Sequence, residues 1–165
     1  MESTYVLAEM TEEHGPAIMR IFNHYIETDF SAYFDQAFPD TFFARLRETA
    51  NGYPAVIAMD GVGAVAGFGF LHAYHPAPAF RRTAELTYFL APEHTRKGIG
   101  GTMLADLTGK ARRQGIDRLL ASISSLNQGS LSFHGKNGFV EVGRLRTIGV
   151  KFGREFDVVY MQKAI

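Results

Sequence analysis

The sequence predicts an α/β protein in which a mixed sheet is covered by helices on both faces. Three observations predict it: apolar runs of strand length alternate with segments of helical period, a turn dipeptide joins two strands as a hairpin, and a glycine-rich loop leads from a strand into a helix. With 46% hydrophobic residues the 165-residue chain has apolar mass for a proper core. No repeat, low-complexity tract or linker divides it, so a single domain over residues 1–165 is expected.

Residues 4–8 have the β-branched, apolar character of a short strand. Thr11, followed by Glu12, Glu13 and a periodic Ile18, Ile21, Phe22 and Tyr25, reads as a capped amphipathic helix ending near Thr28. Residues 29–38 are aromatic-rich and aperiodic, and Pro39-Asp40 opens a second helix carrying Phe42, Phe43 and Leu46. Residues 54–59 and 62–73 are apolar runs joined by Asp60-Gly61, a dipeptide that supplies the positive φ values of a tight hairpin. Residues 82–90 form a third strand of this group. Pro92 then breaks the sheet, and Gly98-Ile99-Gly100-Gly101 opens a helix with Met103, Leu104, Leu107 and Ala111 on one face, ended by Gly115. A short strand at 119–123, a short helix at 127–136 and two closing strands at 140–145 and 155–161 complete the order β-α-α-β-β-β-α-β-α-β-β.

Composition excludes several classes of function. Lys plus Arg equals Asp plus Glu, 17 each, so no global field draws a nucleic-acid backbone or an anionic membrane, and neither is expected as a partner. The absence of cysteine removes disulfides, thiolate metal sites and a cysteine nucleophile. The stretch Met1-Glu2-Ser3-Thr4-Tyr5 lacks the basic-then-apolar pattern of a leader, and no run approaches the roughly 18 apolar residues of a membrane span, so a cytoplasmic setting is expected. His72-x-x-His75 sits beside Pro76 and Pro78 with no evident third ligand, so no metal is expected.

The chemistry concentrates in residues 88–103, a strand, a basic loop and glycines opening a helix. Glycines let N–H groups at a helix N-terminus approach a phosphate, the helix dipole favours negative charge there, and Arg96 and Lys97 add positive charge. The Lys-Ser/Thr pair of a Walker loop is missing, and a dinucleotide fingerprint starting at Gly98 fails at Met103. Gly61-Val62-Gly63-Ala64-Val65-Ala66 matches that fingerprint formally but sits on a hairpin turn.

Strand, glycine loop and helix, followed by Asn127, a short helix and Asn137-Gly138-Phe139, resemble the GNAT superfamily of N-acetyltransferases. The sequence is most similar to its phosphinothricin and methionine-sulfone acetyltransferase branch. The similarity is carried by Asn23-His24-Tyr25-Ile26-Glu27-Thr28, Tyr53-Pro54, Pro78-Ala79-Phe80 through Thr83-Ala84-Glu85, Asn127 with Ser130, His134 before Gly138-Phe139, and Gly149-Val150-Lys151-Phe152-Gly153 with Asp157-Val158. These stretches span nearly the whole chain. One departure is Thr95, which stands where the superfamily usually has Gln or Arg.

The resemblance implies a mostly antiparallel mixed sheet, acetyl-coenzyme A as donor, direct attack by a small-molecule amine in a ternary complex, no metal, and a homodimer. Glu85 matches the family's catalytic glutamate; on an otherwise apolar strand beside a cleft, a carboxylate gains basicity, although a solvated charge on the strand's polar side is the plain alternative. Alternation puts Glu85, Thr87 and Phe89 on one face and Leu86, Tyr88 and Leu90 on the other. By resemblance, the Tyr88-Phe89-Leu90 segment holds the acetyl oxygen and pantetheine, through the amides of Tyr88 and Leu90. Arg96, Lys97, Gly98, Ile99, Gly100, Gly101 and Thr102 hold the pyrophosphate. Asn127 and Ser130 meet the pantetheine, though an Asn before a helix is also an ordinary N-cap. His134 stands where many members place the tyrosine that protonates the thiolate, and serves as that acid or as a contact. Phe80, Arg81 and Arg82, with Tyr33 and Phe34, line the acceptor pocket, where a guanidinium could pair with a carboxylate. Methionine sulfone, methionine sulfoximine and phosphinothricin fit as acceptors, while Phe80 replaces a tyrosine common in the branch. The alternatives are a protein N-terminus, a polyamine, an aminoglycoside, or a non-catalytic acyl-coenzyme A-binding module.

Overall fold

The computed structural model describes residues 4–165, so the part of the leader reading that falls on Met1 to Ser3 lies outside the described residues. The main elements follow the expected order: β1 (Val6–Ala8), α1 (Gly15–Thr28), α2 (Phe43–Thr49), β2 (Ala55–Met59), β3 (Val65–Ala73), β4 (Thr83–Leu90), α3 (Ile99–Arg113), β5 (Arg118–Ser124), α4 (Gln128–Lys136), β6 (Val140–Lys151) and β7 (Arg154–Ala164). Within the described residues these strands form one sheet, β1-β2-β3-β4-β5-β7-β6, antiparallel at every pair except β4 with β5.

Each face of the sheet carries its own core. Ile18, Phe22 and Ile26 recur every fourth residue along α1 and are buried on one side of it. With Phe43 of α2 they pack on Ile57, Phe68 and Phe70. Across the sheet, Met103, Leu104, Leu107 and Ala111 of α3 meet Val56, Leu71, Leu86 and Leu119. Full burial of such side chains contributes about 1.5–3 kcal/mol each, so the two apolar helix faces clamp the sheet between them. Phe68-Gly69-Phe70 sends both rings toward α1. A Cβ at Gly69 would stand 2.8 Å from Tyr88 Cβ and 3.3 Å from Met103 Cε, so only glycine lets β4 and α3 approach this closely.

Two local expectations are corrected. The turn between β2 and β3 is not a two-residue Asp60-Gly61 hairpin. Asp60 accepts from the amides of Val62 and Ala64 at 3.0 and 2.9 Å, and the positive φ falls at Gly63 (84°). An aspartate that caps its own following backbone organises a longer turn, which delays β3 to Val65. The first closing strand does not stop at Leu145. A bulge between Leu145 and Gly149, with Thr147 at φ 48° and its amide on Asp157 at 2.7 Å, resets the register, and β6 runs on to Lys151. Phe152 and Gly153, both at positive φ, then turn the chain into β7.

Candidate active site

β4 and β5 pair only over Thr83–Glu85 with Arg118–Leu120. Beyond this, β4 stays with β3 as far as Leu90 and β5 stays with β7 as far as Ser124, so a gap opens between them. The Ala91 amide donates to Ala66 of β3 at 2.8 Å, and amides alternate in direction along a strand. Those of Tyr88 and Leu90 therefore face the gap, and that of Phe89 faces β3. The Leu90 carbonyl accepts from the Tyr25 hydroxyl at 2.6 Å, and burial pushes that phenol up to about 12, keeping it a donor. Phe89 packs edge-on against Phe22 and tilted against Tyr25 and Phe68, so its ring belongs to the core on the α1 face of the sheet.

The loop leading into α3 has Arg96 at φ 60° and Gly98 at φ 81°. Its first ladder bond runs from the Thr102 amide to the Gly98 carbonyl at 3.2 Å, so the amides of Ile99, Gly100 and Gly101 have no intrahelical acceptor. No acidic residue stands in the first turn, while Arg96 and Lys97 are exposed beside it. A diphosphate fits this donor set: free amides, a favourable dipole and two cations. Thr95 turns away, donating to the Pro92 carbonyl at 2.8 Å. The two key glycines differ. Gly98 needs its positive φ and faces open space, whereas a Cβ at Gly100 would meet the Phe133 ring at 3.3 Å, so Gly100 serves the packing of α4 on the helix start.

Glu85 lies half-buried at the root of the gap, paired in register with Leu120 of β5 and with His72 of β3. Burial raises its carboxyl above the ordinary range, and the electrostatic effect of His72 opposite offsets part of that rise. Tyr33 comes from the loop after α1 and stacks on Phe156 of β7 at 5.6 Å, nearly parallel. Burial raises its phenol, and the side chains that next bear on it are Ser122, Tyr160 and Glu85. Loop, β4, β5 and β7 thus converge on one spot.

His134 is buried, 2% exposed. Its Nδ1 lies 2.8 Å from the Ser130 carbonyl, which can only accept, so Nδ1 carries the proton and Nε2 faces the Tyr88 hydroxyl at 3.4 Å. Burial pushes the imidazole pKa down and the Tyr88 phenol far up, so both are neutral at physiological pH. Asn127 caps α4 by accepting from the Ser130 amide at 3.1 Å, and its amide donates to Ser31 at 3.0 Å. Both its polar atoms are thereby engaged within the protein.

Of the residues expected around the acceptor, Phe80 is exposed and packs edge-on against Tyr74, with His75 beside it. Phe34 lies against Phe22, Phe38 and Phe42. Arg82 forms an ion pair with Asp117, while Arg81 is exposed. Solvent screening keeps a pair as open as Arg82–Asp117 weak, leaving the guanidinium able to exchange partners. Among the described residues no group of three His, Asp or Glu is placed to hold a metal. Sequence reasoning missed Tyr25, Ser31, Ser122, Tyr160 and the pairing of His72 with Glu85. Of these only His72 carried a signal, since strand alternation and hairpin register could have set it opposite Glu85.

The model of the acetyltransferase (GNAT) family matches residues 18–139. The chain is 36% identical over 121 residues to an L-methionine sulfoximine/L-methionine sulfone acetyltransferase of Pseudomonas paraeruginosa, covering 73% of this chain and 69% of that one. A phosphinothricin acetyltransferase of Sinorhizobium meliloti, solved with acetyl-coenzyme A, superposes with a TM-score of 0.92 at 29% identity, over 100% of this chain and 89% of that one. A ribosomal-protein-alanine N-acetyltransferase of Brucella melitensis superposes with a TM-score of 0.90 at 31% identity, over 97% and 99%. Diverging parallel strands, an amide-lined loop and a matching family model together identify the chain as a member of the GNAT acetyltransferase family, an acetyl-coenzyme A-dependent N-acetyltransferase.

Proposed function

We propose that the chain works as one domain that acetylates the primary amine of a small amino-acid-like acceptor, of the methionine sulfone, methionine sulfoximine or phosphinothricin type. The observation that carries this reading is the half-buried carboxylate of Glu85 at the root of the β4–β5 gap, with Tyr33 near enough for the two to bear on each other. Acetyl-coenzyme A supplies an acetyl group activated as a thioester. The amides of Tyr88 and Leu90 hold its acetyl oxygen and pantetheine, and Arg96 to Thr102 hold its pyrophosphate. Glu85 takes the ammonium proton, directly or through one water. Asn127 and Ser130 build the pantetheine wall. His134 acts as a contact that steadies Tyr88, since its one N–H is held by Ser130. Arg81 and Arg82 receive the acceptor's carboxylate, and Phe80, Tyr33 and Phe34 cover it.

Likeness to the ribosomal-protein-alanine enzyme favours a second acceptor class, a protein N-terminus. A thiol-release assay across an amine panel separates the two. The expected result is the highest kcat/KM for methionine sulfone, methionine sulfoximine or phosphinothricin; an alanine-initiated peptide outperforming all three overturns the amino-acid reading. With no cysteine to carry an acyl group, initial-rate plots are expected to intersect. Parallel lines, or an acetylated protein trapped in mass spectrometry, would sink direct attack.

The enzyme works in the cytoplasm as a homodimer, without nucleic acid or membrane. Support for the dimer comes from β6, an edge strand whose exposed residues include Val140, Val142, Ile148 and Val150, with Phe152 exposed in the turn that follows. An unpaired edge with an apolar row invites a partner. Light scattering should give twice the 18.3 kDa chain mass. A monomer mass at micromolar concentration removes that part of the proposal.

A further inference from the structure

Lys151 is 4% exposed, at the end of β6, and has no acidic partner within ion-pair distance among the described residues. Its ammonium points away from solvent to three main-chain carbonyls: Asp29 at 2.6 Å, Ala32 at 2.7 Å and Tyr25 at 3.5 Å. An ammonium has three donors, and here each meets an acceptor. Tyr25 and the capping Asp29 belong to the C-terminal end of α1, where the dipole favours a cation; the Tyr25 carbonyl also takes the Asp29 amide at 3.3 Å, so the carbonyls of Asp29 and Ala32 are the ones that depend on the ammonium most. Ala32 immediately precedes Tyr33, whose ring stacks on Phe156 and whose phenol senses Glu85. The side chain thus ties the tip of the β6–β7 hairpin to the loop that walls the acceptor side of the cleft. Three further bonds reach that loop, Asn127 to Ser31 and two between Asn23 and the main chain of Phe38, and within it the Ser31 amide donates to the Asp29 carboxylate at 2.7 Å; none of them reaches the main-chain carbonyls of Asp29 and Ala32.

We propose that Lys151 is a positioning residue for the acceptor amine: it sets the backbone of residues 29–32 and through it the place of Tyr33 relative to Glu85. The proposal rests on the acceptor site lying between Tyr33 and Glu85. Lys151 makes no hydrogen bond to the acetyl-coenzyme A cradle, from Tyr88 to Thr102, and is linked to it only through Tyr25, whose carbonyl takes the longest of its three bonds and whose hydroxyl donates to the Leu90 carbonyl. Its loss therefore acts mainly on the acceptor side, where its two short bonds fall. Replacing it by Met keeps the stem and removes every donor, leaving buried carbonyls without a partner, whereas Arg keeps charge and donors.

The test measures steady-state kinetics with methionine sulfone and acetyl-coenzyme A, together with amide hydrogen exchange of residues 29–38 and of α3. For Lys151→Met the expected result is an amine KM raised about tenfold or more, an acetyl-coenzyme A KM within about twofold of the parent, and faster exchange at 29–38 with α3 unchanged. Lys151→Arg should restore the amine KM to within about threefold. If Lys151→Met yields no folded protein, Lys151→Gln, which keeps amide donors, is read by the same criteria. Both KM values rising together, or an unchanged amine KM, overturns the proposal. Should the parent enzyme turn over no amino-acid-like amine, the acceptor reading fails, while unaltered exchange at 29–38 in the variant would independently overturn the role of Lys151.

Discussion

Replacing Glu85 by Gln is expected to lower the turnover number by roughly 10²-fold or more, the usual effect of losing a general base. An amino-acid amine is mostly protonated at neutral pH and cannot attack a thioester until that proton leaves. Gln keeps the shape and hydrogen-bonding capacity of the side chain but cannot accept the proton. Binding of acetyl-coenzyme A should barely change, because Glu85 lies at the root of the gap, away from the loop at the start of α3. Burial holds the Glu85 carboxyl above the ordinary range, so the parent enzyme should lose activity as pH falls through that raised value, and the variant should lose this acidic limb. The stability sign follows from the same shift. A carboxyl whose folded pKa is raised favours the folded state below its unfolded pKa, and that contribution is lost as pH rises through the folded value. At neutral pH the variant should therefore be no less stable than the parent, so a fall in turnover reports chemistry and not unfolding. His72 supplies a second arm. Its electrostatic effect offsets part of the rise, so His72→Gln should move the acidic limb upward. Near-normal turnover of Glu85→Gln with an unaltered pH profile would return Glu85 to a solvated charge.

Gly98→Val should weaken coenzyme A binding about tenfold or more, roughly 1.4 kcal/mol, while the fold survives. Gly98 sits at φ 81°, where a side chain costs about 1–2 kcal/mol and a β-branched one is least tolerated. That strain is small beside the roughly 5–15 kcal/mol stability of a domain, so the loop adjusts and the core stays. Adjustment to negative φ swings the amides at the start of α3 away from the direction a diphosphate needs. Calorimetry checks it: unchanged affinity for coenzyme A in Gly98→Val would refute the cradle. Gly100→Val is the wrong probe, because its added atoms press on Phe133 and Leu90 inside the protein.

The sequence alone determined the order of elements, both apolar helix faces and the loop from Arg96 to Thr102, because each is written in local spacing: Ile18, Ile21, Phe22 and Tyr25 three or four apart, alternation through Glu85 to Leu90, glycines ahead of Met103. Cap residues were legible for the same reason, as Asn127 shows. Whatever depends on which distant segments meet was not. The gap between β4 and β5 exists because each strand keeps a different neighbour, and strand propensity says nothing about neighbours. The ion pair of Arg82 with Asp117 and the hold of the Ser130 carbonyl on the His134 N–H were not legible either, since each partner is set by the fold or by a side-chain rotamer. Lys151 is the extreme case: a lysine in a strand is ordinarily solvated, and only tertiary structure could bring the α1 terminus, about 120 residues away, to take all three of its donors.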